Sequence, residues 1–128
     1  MDIIGTGIDA TEISRIAASI ERYGDRFINR IYTEGEIAYC RGKRDFASSF
    51  AARFAAKEAA MKALGTGHSR AVFWRGIEVV RRDGPPQIRF HGGAAACAES
   101  LGATGSFLTI SHSSDLAIAQ VILVRDRG

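Results

Sequence analysis

The period of the hydrophobic positions changes several times along this chain, and each change marks an element. Residues 2–8 (Asp2-Ile3-Ile4-Gly5-Thr6-Gly7-Ile8) bring β-branched side chains together with two glycines and predict a short strand. Ile13, Ile16 and Ile20 then recur at helical spacing, and Gly24 closes that helix. Thr33 with Glu36 three residues later predicts a capping box, opening a short helix that Gly42 ends. Residues 43–45 turn the chain, and a long helix begins near Asp45 and runs to a glycine stop at Gly65. Residues 68–71 form a loop, and residues 72–82 read as strand, most clearly from Ile77. Asp83-Gly84-Pro85-Pro86 is a turn, and residues 87–90 return as a second strand. Residues 92–101 place Ala95, Ala98 and Leu101 at helical spacing, and residues 106–112 and 116–124 are two strands around Ser113-Ser114-Asp115. Antiparallel hairpins beside helices predict an α+β fold, one domain over residues 1–128 with an antiparallel sheet packed on the long helix.

The long helix carries the densest pattern. At 100° per residue, Phe46, Phe50, Phe54, Met61 and Leu64 share an arc of about 80°, which is expected to face the core. Glu58 and Lys62 lie one turn apart on a flank of that arc. An i,i+4 pair of this kind is ordinarily a surface ion pair worth about 0.2–0.5 kcal/mol. Beside a core-facing stripe and a Gly-Thr-Gly turn, it can also serve an anionic, metal-bearing ligand. Lys57 falls inside the aromatic stripe, so it either carries its head to the rim or reaches an anion. Asp9 has two readings as well. With Glu12 it fits a helix-capping pattern, and as an acid it is a candidate metal ligand.

Bulk properties narrow the function classes. A chain of 128 residues with 46% apolar and 24% charged residues suits one soluble core. Seventeen Lys and Arg against fourteen Asp and Glu give a net charge of +3, a mild bias towards anionic partners. Cys40 and Cys97 make no metal or disulfide spacing, which suits a reducing cytoplasm. The N-terminal residues lack a signal-peptide pattern, and no apolar run reaches membrane-spanning length.

Three segments, taken in order, carry a resemblance. They are Gly7-Ile8-Asp9 with Glu12, Arg15 and Ile16; Arg53-Phe54-Ala55-Ala56-Lys57-Glu58-Ala59 with Lys62-Ala63-Leu64-Gly65-Thr66-Gly67; and Thr109-Ile110-Ser111-His112 with Ala117, Ala119 and Val121. Together with Trp74 and Ile77-Glu78-Val79 they make nearly the whole chain similar to the holo-acyl-carrier-protein synthases, the small bacterial class of 4′-phosphopantetheinyl transferases. The resemblance implies that fold, a homotrimer with sites between subunits, and a cytoplasmic role in fatty acid biosynthesis. It implies transfer of 4′-phosphopantetheine from coenzyme A to a serine of an apo-acyl carrier protein, with Mg²⁺ and release of adenosine 3′,5′-bisphosphate. On matching positions, Asp9 and Glu58 are the implied metal ligands, and Asp9, Glu58 and Lys62 the implied catalytic group. Arg53, Lys62, Gly65, Thr66, Gly67 and His112 would bind coenzyme A, with the glycines letting backbone N–H groups near a phosphate. Taken alone, His112 reads as a strand-end histidine satisfied by a turn, and only the resemblance gives it a ligand. Arg15 and Arg22, two turns apart on the first helix, with Arg26 just beyond it, would dock the acidic carrier, although a solvated helix face is their ordinary explanation. Either Glu58 or a metal-bound water would take the serine proton. Ala10, and the turn Gly84-Pro85-Pro86 where the family commonly has Gly-Lys-Pro, are the departures.

Two rival readings follow from composition. A small basic nucleic-acid-binding domain would use the seventeen Lys and Arg residues, but the acids nearly balance them and no aromatic–basic strand motif appears. A non-catalytic trimer built on the sheet is the other. The resemblance favours the enzyme, with no nucleic acid or membrane partner.

Overall fold

In the computed structural model of this chain, residues 1–127 are described. The order is β1 (Asp2–Glu12), α1 (Ile13–Tyr23), α2 (Asp25–Ile31), α3 (Glu34–Arg41), α4 (Phe46–Leu64), a 3-10 turn (Trp74–Gly76), β2 (Ile77–Val80), β3 (Gln87–Phe90), α5 (Gly92–Ser100), β4 (Gly105–His112) and β5 (Leu116–Arg125). One antiparallel sheet has the order β1-β5-β4, and β2 with β3 forms a separate antiparallel pair. The architecture is α+β.

Strand β1 runs four residues past the predicted end, because its backbone pairs with β5 all the way from Asp2↔Arg125 to Glu12↔Leu116. A full ladder satisfies more backbone groups than one cap would. Asp9 is therefore a strand residue opposite Ala119 and caps nothing. Glu12 occupies the N-cap position of α1 without a side-chain cap bond.

Two further features differ from the sequence expectation. Gly24, at φ 56, ends α1 as expected, but the chain passes directly into a second helix, α2, which buries Ile28 and Ile31. Arg26 lies just past α1 as expected, on α2. The strand expected from Val72 begins at Ile77, since residues 74–76 form the 3-10 turn. The Thr33–Glu36 capping box forms as expected.

Helix α4 is buried on nearly all sides, more widely than an arc of aromatic residues predicts. Phe46 is exposed, while Ala51, Ala55, Ala56, Ala59 and Ala60 have no accessible surface. The reason lies in the glycines of β1. A Cβ on Gly7 would sit 1.9 Å from the Ala59 carbonyl oxygen, and one on Gly5 would sit 2.1 Å from that of Ala63. Glycine on the strand facing alanine on the helix lets the two backbones touch. This contact carries β1 across α4 and sets Asp9 beside the C-terminal half of the helix.

Two hydrophobic clusters flank this contact. One joins α4 to β5 through Ala119, Val121 and Leu123, and to Val72, Ile77, Val79 and α5. The other gathers Ile13, Ile16, Ile28, Ile31, Tyr32 and Phe50. Tyr32 is fully buried, and its hydroxyl donates to the Phe50 carbonyl at 2.8 Å, so its polar end costs little.

Candidate active site

Asp9 from β1, Arg15 from α1 and Glu58 from α4 line one cavity of about 370 Å³, whose walls include Ile16, Phe27 and Phe54. Asp9 accepts from the Thr11 hydroxyl at 2.8 Å through Oδ2, and its Oδ1 lies 3.2 Å from the Lys62 ammonium. Lys62 also donates to the Ile8 carbonyl at 2.8 Å. The expected Glu58–Lys62 pair along the helix is therefore replaced by a pair across elements. Asp9, brought in by the glycine contact, offers Lys62 a carboxylate and a carbonyl together.

Glu58 has other partners. Its Oε2 accepts from the Trp74 indole N–H at 3.2 Å and lies 3.1 Å from His68 Nε2. Neither contact was read from the sequence, where His68 is only a loop residue and Trp74 only part of a strand. The lone tryptophan and a histidine just after the helix stop were the available signals.

Gly65 adopts the left-handed conformation at φ 77, as the helix stop predicted. Its amide donates to the carbonyls of Met61 and Lys62, and the Thr66 amide donates to Met61. These two N–H groups are thus committed to closing α4, which corrects the expectation that they are free to approach a phosphate. The turn instead sends the chain back so that His68 lies over Glu58.

Arg53 and His112 belong to a different cleft. With Tyr39, Arg81, Pro85 and Thr109 they line a space of about 590 Å³. Arg53 is 5% exposed, its guanidinium carbon is 4.0 Å from the Tyr39 ring centre, and its Nε has no partner among the described residues. Burial acts to raise the Tyr39 phenol, but the positive charges of Arg53 and Lys43 bring it below its usual value. His112 is exposed at the end of β4, with Nδ1 3.4 Å from the Ser113 carbonyl. On α4, Arg53 and Glu58 are separated by about 140° around the axis. One chain therefore presents a carboxylate cavity on one side of the helix and a cationic cleft on another.

Lys57 takes the second of its sequence readings and reaches an anion, which is the chain's own Glu36 carboxylate. It is completely buried, 2.6 Å from Glu36, and donates to the carbonyls of Trp74 and Ile77. Glu36 also accepts from the Val79 amide at 3.0 Å. Burial pulls the Lys57 ammonium down from its usual value, opposed by the Glu36 charge. The pair ties α3, α4 and β2 together. Burial pushes the Cys40 thiol up to about 11, so it stays protonated and unreactive at neutral pH.

Arg15 and Arg22 are exposed on α1 and Arg26 on α2, with Arg22 set 5.2 Å from the Tyr23 ring centre. Arg15 alone of the three reaches the carboxylate cavity.

A cation at this cavity would meet the Asp9 and Glu58 carboxylates, with Glu12 a third carboxylate in the lining and no imidazole or thiol among the lining residues. Among the described residues no group of three or more His, Cys, Asp or Glu side chains could hold a metal. Mg²⁺ is commonly held by one or two carboxylates, with waters and substrate phosphates completing its shell, so the donor chemistry suits it.

Residues 5–121 match the model of the 4′-phosphopantetheinyl transferase superfamily. A holo-acyl-carrier-protein synthase of Koribacter versatilis is 54% identical over 122 residues, covering 94% of this chain and 98% of its own length. That of Solibacter usitatus is 53% identical with the same coverage. The crystal structure of the synthase from Neisseria meningitidis superposes with a TM-score of 0.89 at 30% identity, covering 97% of this chain and all of the other. The Helicobacter pylori synthase, solved in complex with coenzyme A, gives 0.82 at 29% identity, covering 93% of this chain and 99% of the other. The chain belongs to the 4′-phosphopantetheinyl transferase superfamily, among its holo-acyl-carrier-protein synthases.

Proposed function

We propose that this chain moves the 4′-phosphopantetheine group of coenzyme A onto a serine hydroxyl of an apo-acyl carrier protein, over a single domain of residues 1–128. The observation that carries the reading is the joining of Asp9, Glu58 and Arg15 around one cavity from three separate elements, with Lys62 paired to Asp9. Two carboxylates with a lysine and an arginine suit a pyrophosphate substrate, whose transfer needs charge neutralisation and alignment more than covalent help. That the Helicobacter pylori relative was solved with coenzyme A supports the donor.

In the proposed reaction the serine oxygen forms a bond to the phosphorus bearing the pantetheine arm. The bond to the bridging oxygen breaks, and adenosine 3′,5′-bisphosphate leaves with that electron pair. Asp9 and Glu58 would hold Mg²⁺, which supplies positive charge to the pyrophosphate oxygens. Lys62 neutralises charge that grows on the leaving group. Glu58 is the chain's own acceptor for the serine proton. Arg15, at the cavity edge, faces the incoming acidic carrier together with Arg22 and Arg26.

The cationic cleft of Arg53 and His112 suits the nucleotide phosphates, yet it opens on another side of α4. A homotrimer resolves this by setting the cleft of one subunit against the carboxylate cavity of the next. The outer face of the β1-β5-β4 sheet supports such packing, since Ile8, Phe107, Leu116 and Ile118 are exposed on it. Among the described residues no helix is long and apolar enough to cross a membrane. Both cysteines are free and buried, which suits a reducing cytoplasm, and the reading takes the modified carrier to be one that serves fatty acid biosynthesis.

Mass spectrometry tests the reading. Apo-carrier protein incubated with this protein, coenzyme A and Mg²⁺ gains the mass of one phosphopantetheine, with an equal amount of adenosine 3′,5′-bisphosphate. An unmodified carrier at high enzyme concentration overturns it.

A further inference from the structure

Glu58 is held on one side only. The Trp74 N–H and His68 Nε2 both meet its Oε2, at 3.2 and 3.1 Å. The two rings also meet each other, with centroids 4.4 Å apart and planes at 64°. We infer that Trp74 and His68 form a clamp that fixes the Glu58 carboxylate and leaves its Oε1 aimed at the ligand, making both of them positioning residues for the transfer. This rests on the reading of Glu58 as a metal-holding carboxylate.

The direction of the contacts is set by chemistry. An indole N–H can only donate, and a carboxylate oxygen can only accept. His68 adds a second donor in the tautomer that carries its proton on Nε2. His68 is exposed and fills no core, whereas Trp74 is half-buried and packs against both hydrophobic clusters, so the His68 variants give the cleaner test.

The clamp is itself fastened from behind. The Trp74 carbonyl accepts from Lys57 Nζ at 3.0 Å, and Lys57 is locked by its buried pair with Glu36. The Phe54 ring lies 6.2 Å from the indole centre, and the Arg30 guanidinium carbon 5.9 Å. The loop carrying His68 continues through Arg70 and Ala71, both at φ 58, a conformation that non-glycine residues rarely adopt. Its path is pinned where a Cβ on Gly93 would lie 2.0 Å from the Ala71 carbonyl oxygen. Several contacts thus converge on the orientation of one carboxylate. Such outer partners of a ligating carboxylate commonly change metal affinity or activity by about 10–100-fold.

The test is calorimetric titration of Mg²⁺ into protein saturated with coenzyme A, without carrier protein, beside thermal melting and steady-state kinetics. Trp74→Phe and His68→Phe keep a ring and lose the donor. Each is expected to weaken Mg²⁺ binding by about 10-fold or more and to lower kcat, with KM for coenzyme A changed less than about twofold. Melting temperatures stay near wild type. His68→Gln keeps an N–H donor and restores most of the affinity. If Trp74→Phe does not fold, the two His68 variants carry the test on an exposed loop. Wild-type Mg²⁺ affinity and kcat in His68→Phe and every folded Trp74→Phe, while Glu58→Gln loses the metal, overturn the clamp and leave the reading of Glu58 standing. Wild-type Mg²⁺ binding in Glu58→Gln overturns that reading and the clamp with it.

Discussion

Asp9 is the residue whose environment says most about its role. It accepts from Thr11 and meets Lys62, yet neither contact explains why a carboxylate is needed in that cavity. The Lys62 side chain is more than half exposed, and exposed ion pairs contribute about 0–1 kcal/mol. Asp9→Asn keeps an acceptor for Thr11 and removes only the charge. It is expected to melt within a few degrees of wild type and to lose carrier modification by mass spectrometry. A folded variant with normal turnover would sink the proposed role. Lys62→Ala is expected to lower kcat more than it weakens Mg²⁺ binding, because its charge matters most as the leaving group forms. Steady-state kinetics beside calorimetry separates the two.

At the scale of the elements, the approach of β1 to α4 is the feature that builds the cavity. Gly7→Ala places a methyl group 1.9 Å from a backbone oxygen, where no side chain can yield. It should cost about 3 kcal/mol in urea unfolding, the upper part of the range for overpacking, and reduce activity by displacing Asp9. A wild-type unfolding curve would show that the strand has room to move. The start of α4 is set by Asp45, whose side chain accepts from the Ser48 amide and hydroxyl. The Ser48 bonds hold the Asp45 carboxyl below its ordinary value of 3.8. A depressed carboxylate contributes stability that is present above its unfolded pKa and lost as pH falls through the folded one. Asp45→Asn still caps but no longer titrates. The stability difference between wild type and this variant is therefore expected to shrink below pH 3.8. An equal difference at neutral and strongly acidic pH would separate the cap from its charge.

At the scale of the whole molecule, Arg15 lines the cavity, while Arg22 on α1 and Arg26 on α2 are exposed outside it. Rim charges of this kind act mainly on association rate and salt dependence. Reversing Arg15 and Arg22 to Glu is expected to raise KM for the carrier steeply at low salt, with less effect as salt rises. Coenzyme A binding should hardly change. Unaltered carrier use at low salt would place the docking face elsewhere.

Local chemistry made much of this chain legible in its sequence. The Thr33–Glu36 box, the Gly65 stop and the β2–β3 and β4–β5 pairs are decided by residues within a few positions of each other, and they form where the pattern put them. Where the pattern misled, partners distant in sequence competed with it. The β5 ladder outweighed the cap that Asp9 and Glu12 spell out, and packing of Ile28 and Ile31 drew a second helix from residues past Gly24. Lys57 lies within the apolar arc of its helix, and only the fold supplied Glu36 and two carbonyls to receive it. The motif named Asp9, Glu58, Lys62, Arg53 and His112 together. Tertiary structure put Asp9 and Glu58 at one cavity, with Lys62 paired to Asp9, and Arg53 and His112 at another, because helical geometry fixes the angle between Arg53 and Glu58 whatever their roles. Residue identity and spacing thus determined the family and the elements. Which carboxylate meets which donor was decided only when glycines on a strand let it touch a helix fifty residues away in the chain, a contact no local pattern encodes.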